Sequence, residues 1–124
     1  MIQRVQTIYL LFATLLSAFQ SVWSFRHCDW TGLGFAVAAC LIALISIFLY
    51  KNRKRQAGFV IALAIIAVLA VAEAVTAAFI QKSAFDLDFW YYTGQAVIVF
   101  LLATAAYRAI RKDEKLVRSL DRIR

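Results

Sequence analysis

Glu73 is the one ionisable side chain placed deep within a long apolar run of this chain. A charge at mid-bilayer depth costs on the order of 2.5–3.5 kcal/mol, so such a residue should face other helices and meet a partner there. At about 100° per residue Glu73 shares a helix face with Ile66, Ala70 and Ala77, the small-residue side. It stands about seven residues before the outer end of its run, roughly 10 Å deep at 1.5 Å per residue. Gln95, Gln20, Ser17 and Ser21 fall at similar depth in other runs. The expectation is an intramembrane polar cluster of Glu73, Gln95 and Gln20. Two chemistries fit it. One is a protonated carboxyl, hydrogen-bonded across helices to fix their packing. The other is a proton or cation site. The packing reading is preferred, because transporters usually add broken helices or a second buried charge, and the sequence displays neither.

Other reactive types are sparse. His27, Cys28 and Asp29 fall in one connecting segment and Asp86 and Asp88 in another. These types ligate zinc, but they lack the spacing of any known ligand class, so no metal or other cofactor is expected. Nothing resembles a nucleophile with its base, a phosphate-cradling glycine loop or paired catalytic carboxylates, which argues against an enzyme. Cys40 would sit roughly 15 Å below Cys28 on a helix, too far for a disulfide, so both read as small packing residues.

Residues 108–124 segregate cleanly when phased as a helix. Ala109, Leu116, Leu120 and Ile123 share one arc, with Ile110 and Val117 beside it. Arg108, Arg111, Lys112, Lys115, Arg118 and Arg122 share the opposite arc, and Glu114 precedes Arg118 by one supporting turn. This is a basic amphipathic helix, suited to a membrane surface or a partner. Each basic residue near an anionic leaflet contributes about 1 kcal/mol. The alternatives are an acidic protein face or ribosomal RNA beside the membrane; RNA contacts would weaken steeply with salt.

The elements that must position these residues are four apolar runs, at roughly 8–25, 31–50, 57–80 and 89–107, each long enough to cross a hydrocarbon core of about 30 Å. Hydrophobic residues make up 64% of the chain, which excludes an ordinary soluble domain. All fourteen Lys and Arg except Arg26 and Lys82 fall on one side of these runs. Basic connections stay cytoplasmic, so both termini are expected inside. Trp23, Trp30 and Trp90 cluster at the opposite, outer interface with Phe25, Phe85, Phe89, Tyr91 and Tyr92, while Tyr9, Tyr50 and Tyr107 mark the inner one. The net charge of +7 is accounted for by this placement rather than by nucleic acid. The fold expected is all-α: a polytopic membrane protein of four transmembrane helices in an antiparallel bundle (1–107), plus the cytoplasmic tail helix (108–124). No proline is present to kink a span. The first run has a longer apolar stretch than a cleaved signal and is expected to remain. Small residues four apart, Gly58 with Ala62, Ala70 with Ala74 and Ala78, Ala36 with Cys40, and Ala39 with Ala43, mark expected helix contacts within the chain. Ser83 with Asp86 resembles a capping box, and Asp88 is an alternative cap for the fourth helix.

Three segments carry a family resemblance: Met1-Ile2-Gln3-Arg4-Val5-Gln6-Thr7-Ile8-Tyr9-Leu10, Lys51-Asn52-Arg53-Lys54, and the tail Arg108 to Arg124. Together they resemble an uncharacterised family of small four-helix membrane proteins from Bacteroidota, whose members often carry prolines that this chain lacks. The resemblance implies a bacterial inner-membrane location and supplies no activity. The family-like residues meet at the cytoplasmic face. The expected interaction surface is therefore Gln3, Arg4, Gln6, Arg53 and the basic tail, with Asp113, Glu114 and Asp121 available for internal pairs. Beyond membrane lipids, the expected partner is a membrane or cytoplasmic protein. The sequence points to a non-enzymatic adaptor or assembly subunit, with a minimal proton- or cation-coupled transporter using Glu73 as the alternative.

Overall fold

The computed structural model describes residues 2–81 and 86–123, with side chains at 5–80 and 86–123. Four helices account for nearly all of them: α1 (Ile2–Arg26), α2 (Trp30–Phe48), α3 (Arg53–Gln81) and α4 (Leu87–Ile123). A 3-10 turn, Leu49–Lys51, closes α2. α1 packs on α2 and α4, and α3 on the same two, so the helices close a four-membered ring. All four are long and apolar enough to cross a membrane.

The interior is built from small side chains. Ala13, Ala39, Ala43, Ala67, Ala103 and Ala106 are buried with Leu10, Val60, Leu63, Val99 and Ile110. Large apolar residues point outward instead: Phe12, Leu15, Phe19, Val22, Leu41, Ile65 and Leu101 are each about half exposed or more. Alanine faces let helix axes approach closely, which limits the large side chains the interior can hold. Gly58, expected at a contact, is exposed, and a Cβ there would meet nothing within 4 Å. Its spacing with Ala62 therefore marks no seam.

Local chemistry sets the helix boundaries. α1 ends where Cys28 adopts a left-handed φ of 57°. The Asp29 N–H then donates to Ser24 O at 3.0 Å and the Cys28 N–H to Phe25 O at 3.3 Å. Those two bonds form a Schellman closure, with Cys28 where glycine usually stands. Cys28 is thus a strained turn residue rather than a packing residue, and both cysteines are free. Asp29 immediately caps α2, its Oδ1 accepting from Gly32 N at 3.2 Å. A Cβ at Gly32 would meet the Asp29 carboxylate and push the cap aside. Asn52 caps α3 in the same way, Oδ1 accepting from Arg55 N at 3.4 Å. At the start of α4 the Trp90 N–H donates to Asp86 O at 3.3 Å, which makes Asp86 rather than Asp88 the residue preceding the helix. Ser83 of the expected capping box lies outside the described residues.

These turns generate a pair of opposed predictions. Cys28→Gly should stabilise the protein by about 1 kcal/mol, by relieving a left-handed β-carbon. Asp29→Ala should destabilise it by about 1 kcal/mol through loss of the cap. Denaturant unfolding in detergent micelles measures both.

Candidate functional site

Two regions gather the polar side chains, one at each end of the bundle. At the end bearing the α1–α2 turn, Ser17 and Gln20 from α1, Gly32 and Phe35 from α2, Glu73 and Ala74 from α3, and Tyr92 and Gln95 from α4 line one cavity of about 60 Å³. Glu73, Gln95 and Gln20 therefore share a single cavity wall. Glu73 is half-buried, and Gln95 is only 6% exposed. Small residues make the space: Ala36, Ala39, Ala67, Ala70 and Ala96 complete the wall.

The hydrogen bonds differ from a direct Glu–Gln–Gln layer. Glu73 Oε1 accepts from the Thr31 hydroxyl at 2.6 Å, a partner on α2 that the sequence reading did not single out. The Thr31 hydroxyl also stands 3.0 Å from Asp29 Oδ1. Gln95 Nε2 donates to the backbone carbonyl of Leu16 across α1. Gln20 Nε2 reaches Ser24 Oγ at 3.5 Å. The amide oxygens of Gln20 and Gln95 are buried with no partner among the described residues. Thr31 could have been found from its place two residues after a capping Asp, a position that points its hydroxyl along the first turn.

Glu73 also borders a second, wider cavity of about 450 Å³ that includes His27, Asp29, Thr31, Asp86, Asp88 and Tyr92. Aromatic rings gather beside this end: Trp23 lies 4.9 Å from His27 and 5.0 Å from Tyr91, and Phe19 lies 6.5 Å from Tyr91, centroid to centroid. Among the described residues no group of three His, Cys, Asp or Glu could hold a metal ion.

At the opposite end the basic residues divide. Arg53 is not free: it pairs with Asp113 at 3.1 Å, tying the start of α3 to the far part of α4. Arg118 and Arg111 lie 2.9 and 3.8 Å from Glu114. Arg111 also sits 5.9 Å over the Tyr107 ring, close enough for a cation–π contact. Arg108, Lys112, Lys115 and Arg122 are exposed and have no ion pair among the described residues. Gln6 does not join this surface. It is 4% exposed, and its Nε2 has no partner among the described residues. The helical phase that turns Leu10 and Ala13 inward turns Gln6 inward too, because the three residues lie on one stripe. The side chains of Gln3 and Arg4 lie outside the described residues. Gln56 supplies a contact the sequence reading passed over: it is 3% exposed and donates to Ser46 O at 3.1 Å, joining α3 to α2.

The Arg53–Asp113 pair is partly shielded, with side chains 30% and 14% exposed. A double-mutant cycle with Arg53→Ala and Asp113→Ala, read by unfolding in micelles, should return a coupling of roughly 0.5–1 kcal/mol. Raising the salt concentration should reduce it.

Residues 17–123 match a family described as a domain of unknown function (DUF4293), and the chain belongs to that family. No curated protein and no solved structure matches the chain.

Proposed function

We propose that this member of the DUF4293 family is an integral inner-membrane protein, a non-enzymatic adaptor or assembly subunit whose α4 extension engages a cytoplasmic partner. In this reading the helices cross antiparallel, with both termini in the cytoplasm. Two observations support the membrane placement. Four helices have the length and hydropathy to cross, and large apolar side chains such as Phe12, Leu15, Phe19, Val22 and Leu101 cover the outside of an alanine-rich core. The concentration of Lys and Arg in the Lys51–Arg55 connection and the tail supports the orientation.

The adaptor reading is carried by α4, which runs unbroken for 37 residues. At 1.5 Å per residue that is about 55 Å, whereas a hydrocarbon core takes about 30 Å. The buried stripe of α4, Val99, Ala103, Ala106 and Ile110, continues through Asp113 to Val117 and Leu120 at the same three-and-four spacing. Beyond Asp113 that stripe is uncovered, with Val117 and Leu120 38% and 65% exposed, and Leu116 and Ile123 on the adjoining arc are 45% and 83% exposed. The basic residues occupy the other arc. A helix that leaves the bundle without a break points away from the leaflet, which favours a protein partner over a flat lipid-bound tail. The partner's chemistry follows: an apolar stripe flanked by acidic residues.

The boundary for testing this lies beyond Tyr107. Ile110 is 1% exposed and Asp113 holds Arg53, so both belong to the bundle. A chain ending after Lys115 keeps them and removes the uncovered stripe. In mild detergent the full-length protein should co-purify a stoichiometric partner that the shortened chain and Leu116→Glu/Leu120→Glu both lose. Retention of the same partner by both variants, or no partner at all for the full-length protein, would refute the adaptor reading.

A further inference from the structure

The chamber around Glu73 gathers oxygen acceptors. Its acceptors are the Glu73 carboxylate and the amide oxygens of Gln20 and Gln95, and both amide oxygens are buried without a partner among the described residues. The nearby donors are only partly committed: Gln95 gives one amide N–H to Leu16 O and Gln20 gives one to Ser24, while the Ser17 and Tyr92 hydroxyls line the same chamber. Thr31 carries a single hydroxyl proton, yet its oxygen stands 2.6 Å from Glu73 and 3.0 Å from Asp29. One proton cannot serve both carboxylates, so this chain of three oxygens lacks positive charge as well. An unpaired buried carbonyl costs about 1–3 kcal/mol, and two of them in one chamber with a carboxylate suit a positively charged guest.

The geometry points to a binding site for a small monovalent cation in this chamber, held by the Glu73 carboxylate and the side-chain oxygens of Gln95 and Gln20. The charge fits one positive unit, because a single carboxylate faces neutral amide oxygens. Carboxylate and carbonyl oxygens are the ligands that hard cations take. Divalent and transition metals fit poorly: among the described residues no three His, Cys, Asp or Glu converge. A cavity of about 60 Å³ accommodates a bare ion with one or two waters, since a single water needs roughly 10–15 Å³ on this measure. It excludes a bulky organic cation.

The wider cavity supplies the approach. Glu73 lies on the walls of both spaces, and among the described residues the wider one is also lined by Asp29, Asp86, Asp88 and His27. An acidic, partly enclosed vestibule concentrates cations ahead of the chamber. This inference is independent of any partner for the tail, since the site and the α4 extension sit at opposite ends of the bundle.

Full-length protein in a zwitterionic detergent tests the site. Thermal unfolding and isothermal calorimetry would be run at constant ionic strength and chloride, replacing choline chloride stepwise with lithium, sodium or potassium chloride. One of the small cations should raise the unfolding midpoint saturably, as a ligand of the folded state does. Glu73→Gln should abolish the saturable component. Gln95→Leu, which keeps the volume and removes the oxygen, should weaken binding about tenfold, the equivalent of about 1.4 kcal/mol. If Glu73→Gln does not fold, Gln95→Leu and Gln20→Leu carry the test alone. Equal response to all salts, or an unchanged response in the variants, would overturn the site. So would stabilisation by lower pH with no cation effect, which would make the guest a proton that fixes helix packing.

Discussion

Close approach of helices along alanine faces is the constraint from which the rest of this structure follows. Ala13, Ala39, Ala43, Ala67, Ala103 and Ala106 make up about half of the buried core and leave space within the ring for only a few large side chains, among them Leu10, Leu63 and Ile110. Many bulky apolar residues, Phe12, Leu15, Phe19, Val22, Leu41, Ile65 and Leu101 among them, are turned outward. The same closeness sets the polar chemistry. Where Ala36, Ala70 and Ala74 widen the seam slightly, a chamber opens and the longer Gln20, Glu73 and Gln95 side chains reach into it. A core of leucines would have filled that volume.

Much of this was legible from composition and periodicity, because four apolar runs separated by charged segments admit few arrangements. The face carrying Glu73 was legible too, since one carboxylate among small residues has only one sensible direction. What escaped the sequence lay in short-range geometry. Cys28 looks like a packing residue until the chain reverses there and needs a left-handed position. Thr31 looks like a span residue until the Asp29 cap fixes the first turn of α2 and points its hydroxyl at Glu73. Gln6 and Gln56 look like interfacial polar groups because they neighbour Arg4 and Arg55, yet both are buried. Sequence proximity to a charge says little about which way a helical residue faces. Gly58 teaches the converse: a small residue at the right spacing marks a contact only if another helix is opposite.

The two ends of the bundle carry opposite chemistry on shared elements. α3 bears Arg53 at one end and Glu73 five turns later, and α4 bears Gln95 and then Asp113. The Arg53–Asp113 bridge clamps these two helices at the basic end. Beyond it Val117 and Leu120 are 38% and 65% exposed, so the uncovered stripe begins just past this bridge. With no proline along α4, nothing in the sequence supplies a hinge between the two regions.

The core between those ends bears on whether Glu73 serves transport. Below the chamber, Leu10, Leu63, Ala103 and Ala106 are fully buried, and Val60 and Ile110 are 1% exposed. Among the described residues the fully buried side chains of this layer are apolar, with the half-buried Thr14 hydroxyl turned back onto Leu10 O at 2.8 Å, and an unsolvated charge within it would cost several kcal/mol. Buried polar side chains are found again near the basic end, at Gln6, Ser46 and Gln56. A cation reaching Glu73 from the acidic vestibule therefore meets a closed apolar floor and leaves by the way it entered. Through-passage would require α1 and α4 to separate along Ala13, Ala103 and Ala106, the very faces whose closeness holds the four helices together. The chamber is better suited to binding than to conduction, which makes a minimal transporter the weaker account of this fold.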